Sequence, residues 1–378
     1  MNKKKILIIS MTAGFGHIKA GQALLDYAEK NLPNVTAEHI DIANIDSSFK
    51  KYSKIYDAIS KKFPFIWGTL YAVSDFNFFA FLVKKINIFS YFFSGKIKKY
   101  IYEKNPDAII FTNVIPLPLF AFAFRKMFPA IVMGVVVTDY HGHSYYNFSC
   151  IDYYFVANKE VGRDLEKSGV KKEKIVVTGI PINPKFYIKE NIGDLKLKYG
   201  INNDFPVVLL IASFKISKND LVALVRQLIK LELPIAEQSR IHDKIGTKIN
   251  LIFIANKNKE FYDIIKNSFL DRQNLLLVNW TDVMEEYMKI SDVVISKAGG
   301  LTVSECLALK KPMIMVNPIP GQEEYNAEFV ERNNFGREVF NVGEIIKILP
   351  EVILSSKTDQ MNLIVQENPC KKVFQYLT

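Results

Sequence analysis

Short apolar runs recur along this chain, and each is followed by a polar or glycine-containing segment. Runs of about four to eight residues rich in Val and Ile are typical of strands buried on both faces of a parallel sheet. Between them apolar residues recur at helical spacing, as with Ala20, Leu24 and Ala28 after the first run. The alternation of strand and helix predicts an α/β fold. The predicted strands lie at 6–9, 106–111, 131–137, 153–157, 205–212, 250–255, 274–278, 292–295 and 313–316.

The chain has 378 residues, which is enough for two domains of ordinary size. A proline-rich, turn-forming segment at 178–186 separates the two groups of predicted strands, and we place the interdomain linker there. We therefore expect an N-terminal domain over 1–183 and a C-terminal domain over 184–358, facing each other across a cleft. A terminal helix is expected within 359–378, packing back on the first domain.

The formal net charge of +10 lies in the first half of the chain. Residues 1–185 contain 25 Lys and Arg against 15 Asp and Glu, whereas 186–378 contain 24 of each kind. A negatively charged partner is therefore expected to meet the N-terminal half. No stretch reaches the roughly 20 apolar residues of a membrane-spanning helix, so any contact with a bilayer is expected to be peripheral. The three cysteines are far apart and offer no metal-ligand spacing.

Residues 49–104 combine lysine with aromatic residues. They contain eleven lysines and three acidic residues, and sixteen aromatic residues lie between the lysines. This composition suits a surface lying in the headgroup region of an anionic membrane. One alternative is a pair of core helices whose lysines reach solvent along their aliphatic stems. Single-stranded nucleic acid would also suit aromatics and lysines, but the absence of arginine from 49–104 and the excess of Phe over Tyr argue against it.

Segment 296–305 predicts a glycine turn between a strand and a helix. Gly299 and Gly300 would let the backbone approach a ligand closely. The helix that follows would direct its unpaired N–H groups at that ligand, which favours an anion. Glu305, one turn into the helix, can accept hydrogen bonds from sugar hydroxyls. The simpler alternative is a turn that only connects the strand to the helix.

Two further groups of polar residues follow predicted strands of the first domain. His17 comes after the first strand, and Asp139, His141 and His143 come after the strand at 131–137. In open α/β sheets ligands bind at the carboxyl ends of the strands, so these residues are expected on the ligand side. A loop histidine bonded to backbone is the alternative for His17. The loop at 14–17 lacks the third glycine of a dinucleotide fingerprint, so a dinucleotide cofactor is not indicated.

Five motifs taken together resemble a known family. They are Gly14-Phe15-Gly16-His17, Thr138-Asp139 with His143, Thr178-Gly179-Ile180-Pro181, Lys297 to Glu305, and Pro320-Gly321-Gln322-Glu323 with Asn326-Ala327. In this order they resemble diacylglycerol glycosyltransferases of the monogalactosyldiacylglycerol synthase type, which have the GT-B fold of two Rossmann-like domains. The resemblance implies inverting transfer of a hexose from a UDP-sugar to the hydroxyl of diacylglycerol or a glycosyl-diacylglycerol. It also implies a peripheral protein at the cytoplasmic face of the cell membrane.

The resemblance also implies residue roles. His17 or Asp139, or the two as a pair, would deprotonate the lipid hydroxyl, with Gly16 and His143 on the acceptor side. UDP-sugar would be the co-substrate, and neither a metal nor another cofactor is expected. On the donor side, Gly299, Gly300, Leu301, Thr302 and Ser213 would hold the diphosphate, Glu305 the ribose, Thr281 and Met284 the uracil, and Gln322, Glu323 and Asn326 the sugar.

The chain departs from the family pattern at the first strand of the donor domain. A glycine-rich loop is usual there, whereas this chain has 210–217 without glycine. UDP-sugar binding without catalysis therefore remains an alternative. Two further alternatives are transfer to a polyprenyl-linked acceptor and UDP-sugar 2-epimerisation. The composition of 49–104 argues against an epimerase, which would need no lipid surface.

Overall fold

In this computed structural model, strands and helices alternate through two parallel sheets. Segments 52–58, 60–61 and 76–94, which carry much of the predicted lysine-aromatic surface, lie outside the described residues, as do Gly14 and 359–366. The structure describes residues 3–12, 15–51, 59, 62–75, 95–117, 125–202, 204–232, 248–269, 272–355 and 367–378.

The first sheet has the strand order β2-β1-β3-β4-β5-β6, and neighbouring strands are parallel. The order reverses between β1 and β3, so their carboxyl ends open the crevice where open α/β sheets bind ligands. The strands are β1 (Lys4–Ser10), β2 (Val35–Asp41), β3 (Ala108–Phe111), β4 (Val132–Val136), β5 (Tyr153–Val156) and β6 (Ile175–Val177).

The second sheet has the order β12-β11-β10-β7-β8-β9 and is also parallel. Its order reverses between β7 and β10, which places the segments after 211 and 296 at the second crevice. The strands are β7 (Val207–Ile211), β8 (Asn250–Ile254), β9 (Leu275–Val278), β10 (Val293–Ser296), β11 (Met313–Val316) and β12 (Gly336–Val339). The expected GT-B architecture of two Rossmann-like domains is confirmed.

Helices connect the strands, and several begin at a side-chain cap, such as Asn158 before 159 and Ser217 before 218. They are α1 (Phe15–Asn31), α2 (Ile42–Ile45), α3 (Pro64–Asp75), α4 (Gly95–Lys104), α5 (Arg125–Met127), α6 (Lys159–Lys167), α7 (Ile192–Lys198), α8 (Lys218–Lys230), α9 (Lys259–Ser268), α10 (Met284–Ile290), α11 (Gly300–Leu309), α12 (Gln322–Arg332), α13 (Val342–Ser355) and α14 (Pro369–Gln375).

The last helix packs on the first sheet. Phe374 stacks on Tyr27 of α1, with ring centroids 6.0 Å apart. Cys370 and Val373 are fully buried in the same apolar cluster as Ile6 and other residues of β1. The C-terminal residues therefore complete the core of the first domain.

Helix α3 contacts the second domain with one face and solvent with the other. A Cβ on its Gly68 would lie 2.5 Å from Pro320 Cβ, and a Cβ on Gly321 would lie 3.0 Å from Tyr71. Away from this contact the helix exposes 84% of Phe65, more than half of Ile66 and Leu70, and Val73, and Phe63 directly before the helix is also exposed. The residues Phe63, Phe65, Ile66, Leu70 and Val73 are called the outer face of α3 below.

Candidate functional site

His17 lies in the first turn of α1, at the crevice between β1 and β3. Its Nδ1 is 2.7 Å from the carbonyl oxygen of Thr112 and 3.0 Å from Thr138 Oγ1. Because a carbonyl oxygen only accepts, the proton of the neutral ring is on Nδ1, and Nε2 keeps its lone pair. The ring is therefore oriented so that Nε2 is an acceptor, and none of the hydrogen bonds among the described residues involves it.

Asp139 follows β4 and interacts electrostatically with His17. Burial lowers the pKa of His17, and the charge of Asp139 and the bond to Thr112 oppose this shift. Burial raises the pKa of Asp139, while His17 and Asn326 act in the opposite direction. A neutral imidazole beside a carboxyl group is the arrangement that a general base needs, since the carboxylate stabilises the imidazolium formed by proton uptake.

Helix α12 of the second domain reaches Asp139 across the cleft. Gln322 Nε2 lies 3.2 Å from Asp139 Oδ2, and Asn326 Nδ2 lies 3.3 Å from Oδ1. Asn326 also donates to the carbonyl of Ala298 and accepts from the N–H of Tyr140 at 2.8 Å. Asn326 thus holds the end of β4 and the glycine turn in one hydrogen-bonded unit.

The N-terminus of α11 meets the first domain directly. Its cap residue Gly299 makes no side-chain cap bond, and a Cβ on Gly300 would lie 2.1 Å from the carbonyl oxygen of Thr138. A Cβ on Gly16 would lie 3.6 Å from Leu301. Only glycine fits at position 300, and the helix start with its unpaired N–H groups lies beside Asp139.

Glu305 lies within α11 and is only 7% exposed. Burial raises its pKa to about 7, with Lys19 opposing this shift and Glu285 adding to it. Among the hydrogen bonds of the described residues, none involves its carboxyl group. A buried carboxyl group without such a bond is suited to accept hydrogen bonds from a ligand.

The remaining predicted donor residues differ in what they contact. Glu323 Oε1 pairs with Lys297 Nζ at 2.5 Å, and Oε2 accepts from the N–H of Ile319 at 3.1 Å. Ser213 Oγ is 2.9 Å from Ser296 Oγ and accepts from the N–H of Lys297, so it joins the ends of β7 and β10.

Two predicted residues lie at the start of α10. Thr281 Oγ1 accepts from the N–H of Val283, which begins the turn before the helix. Met284 is the first residue of α10 and is partly buried against the core. Lys257 Nζ lies over the ring of the neighbouring Trp280, 3.9 Å from the ring centroid. This corner is at the carboxyl end of β9, the side on which the sheet binds ligands.

His143 is buried, and both of its ring nitrogens have partners. Nδ1 accepts from the N–H of Tyr145, and Nε2 lies 3.1 Å from the carbonyl of Tyr71 and 3.2 Å from Ser74 Oγ. His143 therefore joins α3 to the segment after β4, and its predicted contact with the acceptor stays a prediction.

His141 forms a junction that sequence reasoning did not identify. Its ring stacks on Tyr325 of α12, and its Nε2 lies 2.8 Å from Asp75 Oδ2 of α3. Asp164 of α6 lies 3.6 Å from Nδ1. The sequence places His141 after a strand, but its partners Asp75 and Tyr325 are more than 60 residues away on either side, so no local pattern could pair them.

The described residues contain neither a membrane-spanning helix nor a metal-binding cluster. No described helix is long and apolar enough to cross a membrane. Within the same ranges, no cluster of three or more His, Cys, Asp or Glu side chains could hold a metal ion. Metal independence stays a prediction.

Two family models match the two halves of the chain. The model for monogalactosyldiacylglycerol (MGDG) synthase matches residues 17–182. The model for the glycosyltransferase family 28 C-terminal domain matches residues 221–375. Thus His17 and Asp139 lie in the first match, and α11 and α12 lie in the second.

Sequence similarity to two bacterial proteins extends over nearly the whole chain. A processive diacylglycerol beta-glucosyltransferase of Staphylococcus saprophyticus is 28% identical over 346 residues, covering 88% of this chain and 81% of that protein. A protein of the same name from Staphylococcus aureus strain MRSA252 is 28% identical over 359 residues, covering 92% and 84%.

Solved structures share the fold at lower identity. MurG of Acinetobacter baumannii has a TM-score of 0.56 at 13% identity, and the alignment covers 99% of each chain. UDP-GlcNAc 2-epimerase of Neisseria meningitidis, bound to UDP-GlcNAc, has a TM-score of 0.57 at 13% identity, again over 99% of each chain. The resemblance drawn from the five motifs is confirmed by the two family models and the two relatives: the chain resembles the glycosyltransferases of the monogalactosyldiacylglycerol synthase type, with a monogalactosyldiacylglycerol synthase domain over 17–182 and a glycosyltransferase family 28 C-terminal domain over 221–375.

Proposed function

We propose that this protein transfers a hexose from a UDP-sugar to the hydroxyl of diacylglycerol, or of a glycosyl-diacylglycerol, with inversion at the anomeric carbon. The observation that carries the proposal is the unprotonated Nε2 of His17 on one side of the cleft and the start of α11 on the other. The names of the two staphylococcal relatives support the choice of diacylglycerol and of a hexose.

In the proposed reaction, Nε2 of His17 accepts the proton of the lipid hydroxyl as its oxygen bonds to the anomeric carbon. The bond from that carbon to the UDP oxygen breaks in the same displacement, and its electron pair leaves with the diphosphate. Asp139 stabilises the imidazolium, and the N–H groups at the start of α11 stabilise the charge on the leaving group. A single displacement from the opposite face gives inversion. No metal takes part in this proposal.

Donor recognition is assigned to the second domain. Glu305 is proposed to bind the ribose hydroxyls, because its buried carboxyl group makes no hydrogen bond within the described residues. Gln322 and Glu323 are proposed to bind sugar hydroxyls from the start of α12. The hydrogen-bonding atoms of Asn326 are engaged by Asp139, Tyr140 and Ala298, so its proposed contribution is to hold Asp139 in place.

The acceptor is a membrane lipid, and we assign membrane contact to the described part of 49–104. The outer face of α3 offers bulky apolar side chains, and Lys50, Lys51, Lys62, Lys96 and Lys99 are exposed nearby in sequence. Exposed apolar residues beside lysines suit the boundary between acyl chains and anionic headgroups. The proposed location is peripheral, at the cytoplasmic face of the cell membrane.

The test uses the purified full-length protein with radiolabelled UDP-glucose, UDP-galactose or UDP-N-acetylglucosamine and vesicles that contain diacylglycerol, a polyprenyl-linked acceptor or neither. We expect labelled lipid only with diacylglycerol present, and His17→Ala should lower the rate about 10²- to 10⁴-fold while UDP affinity is kept. UDP binding without labelled lipid from any donor would overturn the enzymatic proposal. Label in a polyprenyl-linked acceptor alone would overturn the choice of diacylglycerol.

A further inference from the structure

A chain of hydrogen bonds lies beneath α1, in side chains that neither the family motifs nor the proposed reaction includes. Ser10 Oγ, at the end of β1, lies 2.7 Å from His39 Nε2 on β2. The same Oγ lies 2.7 Å from Thr112 Oγ1, which follows β3. Ser10 and Thr112 are completely buried. These hydrogen bonds thus connect three adjacent strands, β2, β1 and β3, at the crevice of the first sheet.

Within this network Thr112 makes two hydrogen bonds to His17, one to its backbone and one to its ring. The hydroxyl of Thr112 donates to the backbone carbonyl of His17 at 2.9 Å, and Ser10 Oγ lies 3.2 Å from the same oxygen. The backbone carbonyl of Thr112 accepts from Nδ1 of the His17 ring at 2.7 Å. One residue therefore holds both the main chain and the imidazole of His17.

Gly21 allows the backbone of α1 to lie close to Ser10 and His39. It lies one turn after His17 on α1, and a Cβ there would lie 2.3 Å from His39 Nε2 and 2.5 Å from Ser10 Oγ. A helix interior disfavours glycine relative to alanine, so glycine at this position needs a reason. Contact between the helix backbone and the Ser10–His39 pair provides one.

The network holds a position and transfers no proton. Its last acceptor is the carbonyl oxygen of His17, which has no proton to exchange. Burial lowers the pKa of His39, against the charges of Asp41 and Asp26, so the ring is neutral at neutral pH. A neutral ring bonded to Ser10 keeps its geometry at neutral pH and above.

We propose that His39, Ser10 and Thr112 are positioning residues that fix the depth of α1 and thereby the orientation and tautomer of the His17 ring. The inference rests on the role proposed above for His17. The tautomer of the His17 ring can be measured without any hexose transfer. A failure of this inference can therefore be distinguished from a failure of the proposed function.

The test labels histidine with ¹⁵N in the full-length protein and identifies the His17 signals by their loss in His17→Gln. We expect wild type to show a proton on Nδ1 and a lone pair on Nε2. Thr112→Val, which keeps the volume but removes the hydroxyl, should give a mixture of tautomers and lower kcat by up to about 100-fold, with KM for the UDP-sugar unchanged. Thr112→Ser should restore both quantities.

The matched control is Ser291→Ala. Ser291 is also fully buried, and its hydroxyl bonds the carbonyl of Met288 in the second domain at 2.8 Å. We expect it to lower the melting temperature without changing the His17 signals or kcat. Wild-type tautomer and kcat in Thr112→Val would overturn the inference. If Thr112→Val does not fold, Ser10→Ala and Gly21→Ala provide the same comparison, and unchanged His17 signals in both would also overturn it.

Discussion

The imidazole of His141 stacks on the ring of Tyr325, with ring centroids 3.9 Å apart and 11° between the planes. His141 belongs to the first domain, directly after Asp139 and Tyr140, whereas Tyr325 belongs to α12. Asp75 of α3 and Asp164 of α6 flank the same ring. The junction therefore joins the proposed catalytic loop to α3, to α6 and to the second domain.

This junction should make stability depend on pH above neutrality. Burial lowers the pKa of His141, but Asp164 and Asp75 outweigh burial and raise it from 6.5 to about 9. Its stabilisation is fully present below pH 6.5 and is lost as the pH rises through 9. A shift of this size corresponds to on the order of 3 kcal/mol. In urea denaturation, the free energy of unfolding of wild type should exceed that of His141→Gln by that amount near pH 6 and by much less at pH 10. A difference that stays constant with pH would contradict this assignment.

A second prediction concerns the acid limb of the rate profile. The proposed base must be neutral, so kcat should fall when the pH drops below the lowered pKa of His17. The charge of Asp139 raises that pKa. Asp139→Asn removes the charge, so the acid limb should move to lower pH while the maximal kcat also falls. Profiles of kcat between pH 5 and 8 would measure both. An acid limb that moves to higher pH would show that His17 is not the titrating base.

A third prediction concerns UDP affinity. The pKa of Glu305 is raised to about 7, and hydroxyl donors of a ribose bind its ionised form better than its neutral form. Affinity for UDP should therefore rise as the pH increases from 6 to 8. Calorimetry on wild type and Glu305→Gln would test this, since the variant should bind more weakly and lose that pH dependence. The same dependence in the variant would assign the titration to another group.

A fourth prediction concerns the outer face of α3. Phe65 is 84% exposed there, and Phe340 in the second domain is 69% exposed, which makes it a matched control. Full burial of a phenylalanine side chain contributes about 1.5–3 kcal/mol, so Phe65→Ser should lower partitioning into anionic vesicles by roughly tenfold or more. Phe340→Ser should leave flotation unchanged. If the two variants lost vesicle partitioning to the same extent, the assignment of membrane contact to α3 would be contradicted.

Much of the fold could be predicted from residue patterns. The strands with buried Val and Ile runs, such as β4 and β7, lie where those runs predict them. The glycine turn before α11 was predicted because Gly-Gly after a buried strand has few other uses. In contrast, β2 has no fully buried residue and carries Glu38 and His39, because it lies at the sheet edge. A strand without an apolar run gives no such signal. Two other edge strands are not predicted either: the apolar run of β6 is only three residues long, and β12 carries Arg337 and Glu338.

The site was predicted less completely, because its geometry depends on contacts between distant segments. The sequence predicts His17 and Asp139 as site residues because each follows a strand, and their roles stay predictions. The sequence does not show that Thr112 holds the ring of His17, as 95 residues separate them. Nor does it show that Ser213 is engaged by Ser296 and Lys297. Such partners are set by the register of neighbouring parallel strands, which single-chain patterns do not encode.

The return of α14 to the first domain limits how the cleft can open. The chain passes between the domains once between β6 and β7 and again between α13 and α14, so the domains are connected by two covalent links. Two covalent connections restrict the relative movement of two domains more than one connection would. The close approach of Gly300 to the carbonyl of Thr138 is therefore an alignment that the connectivity of the chain supports as well as the packing at the cleft.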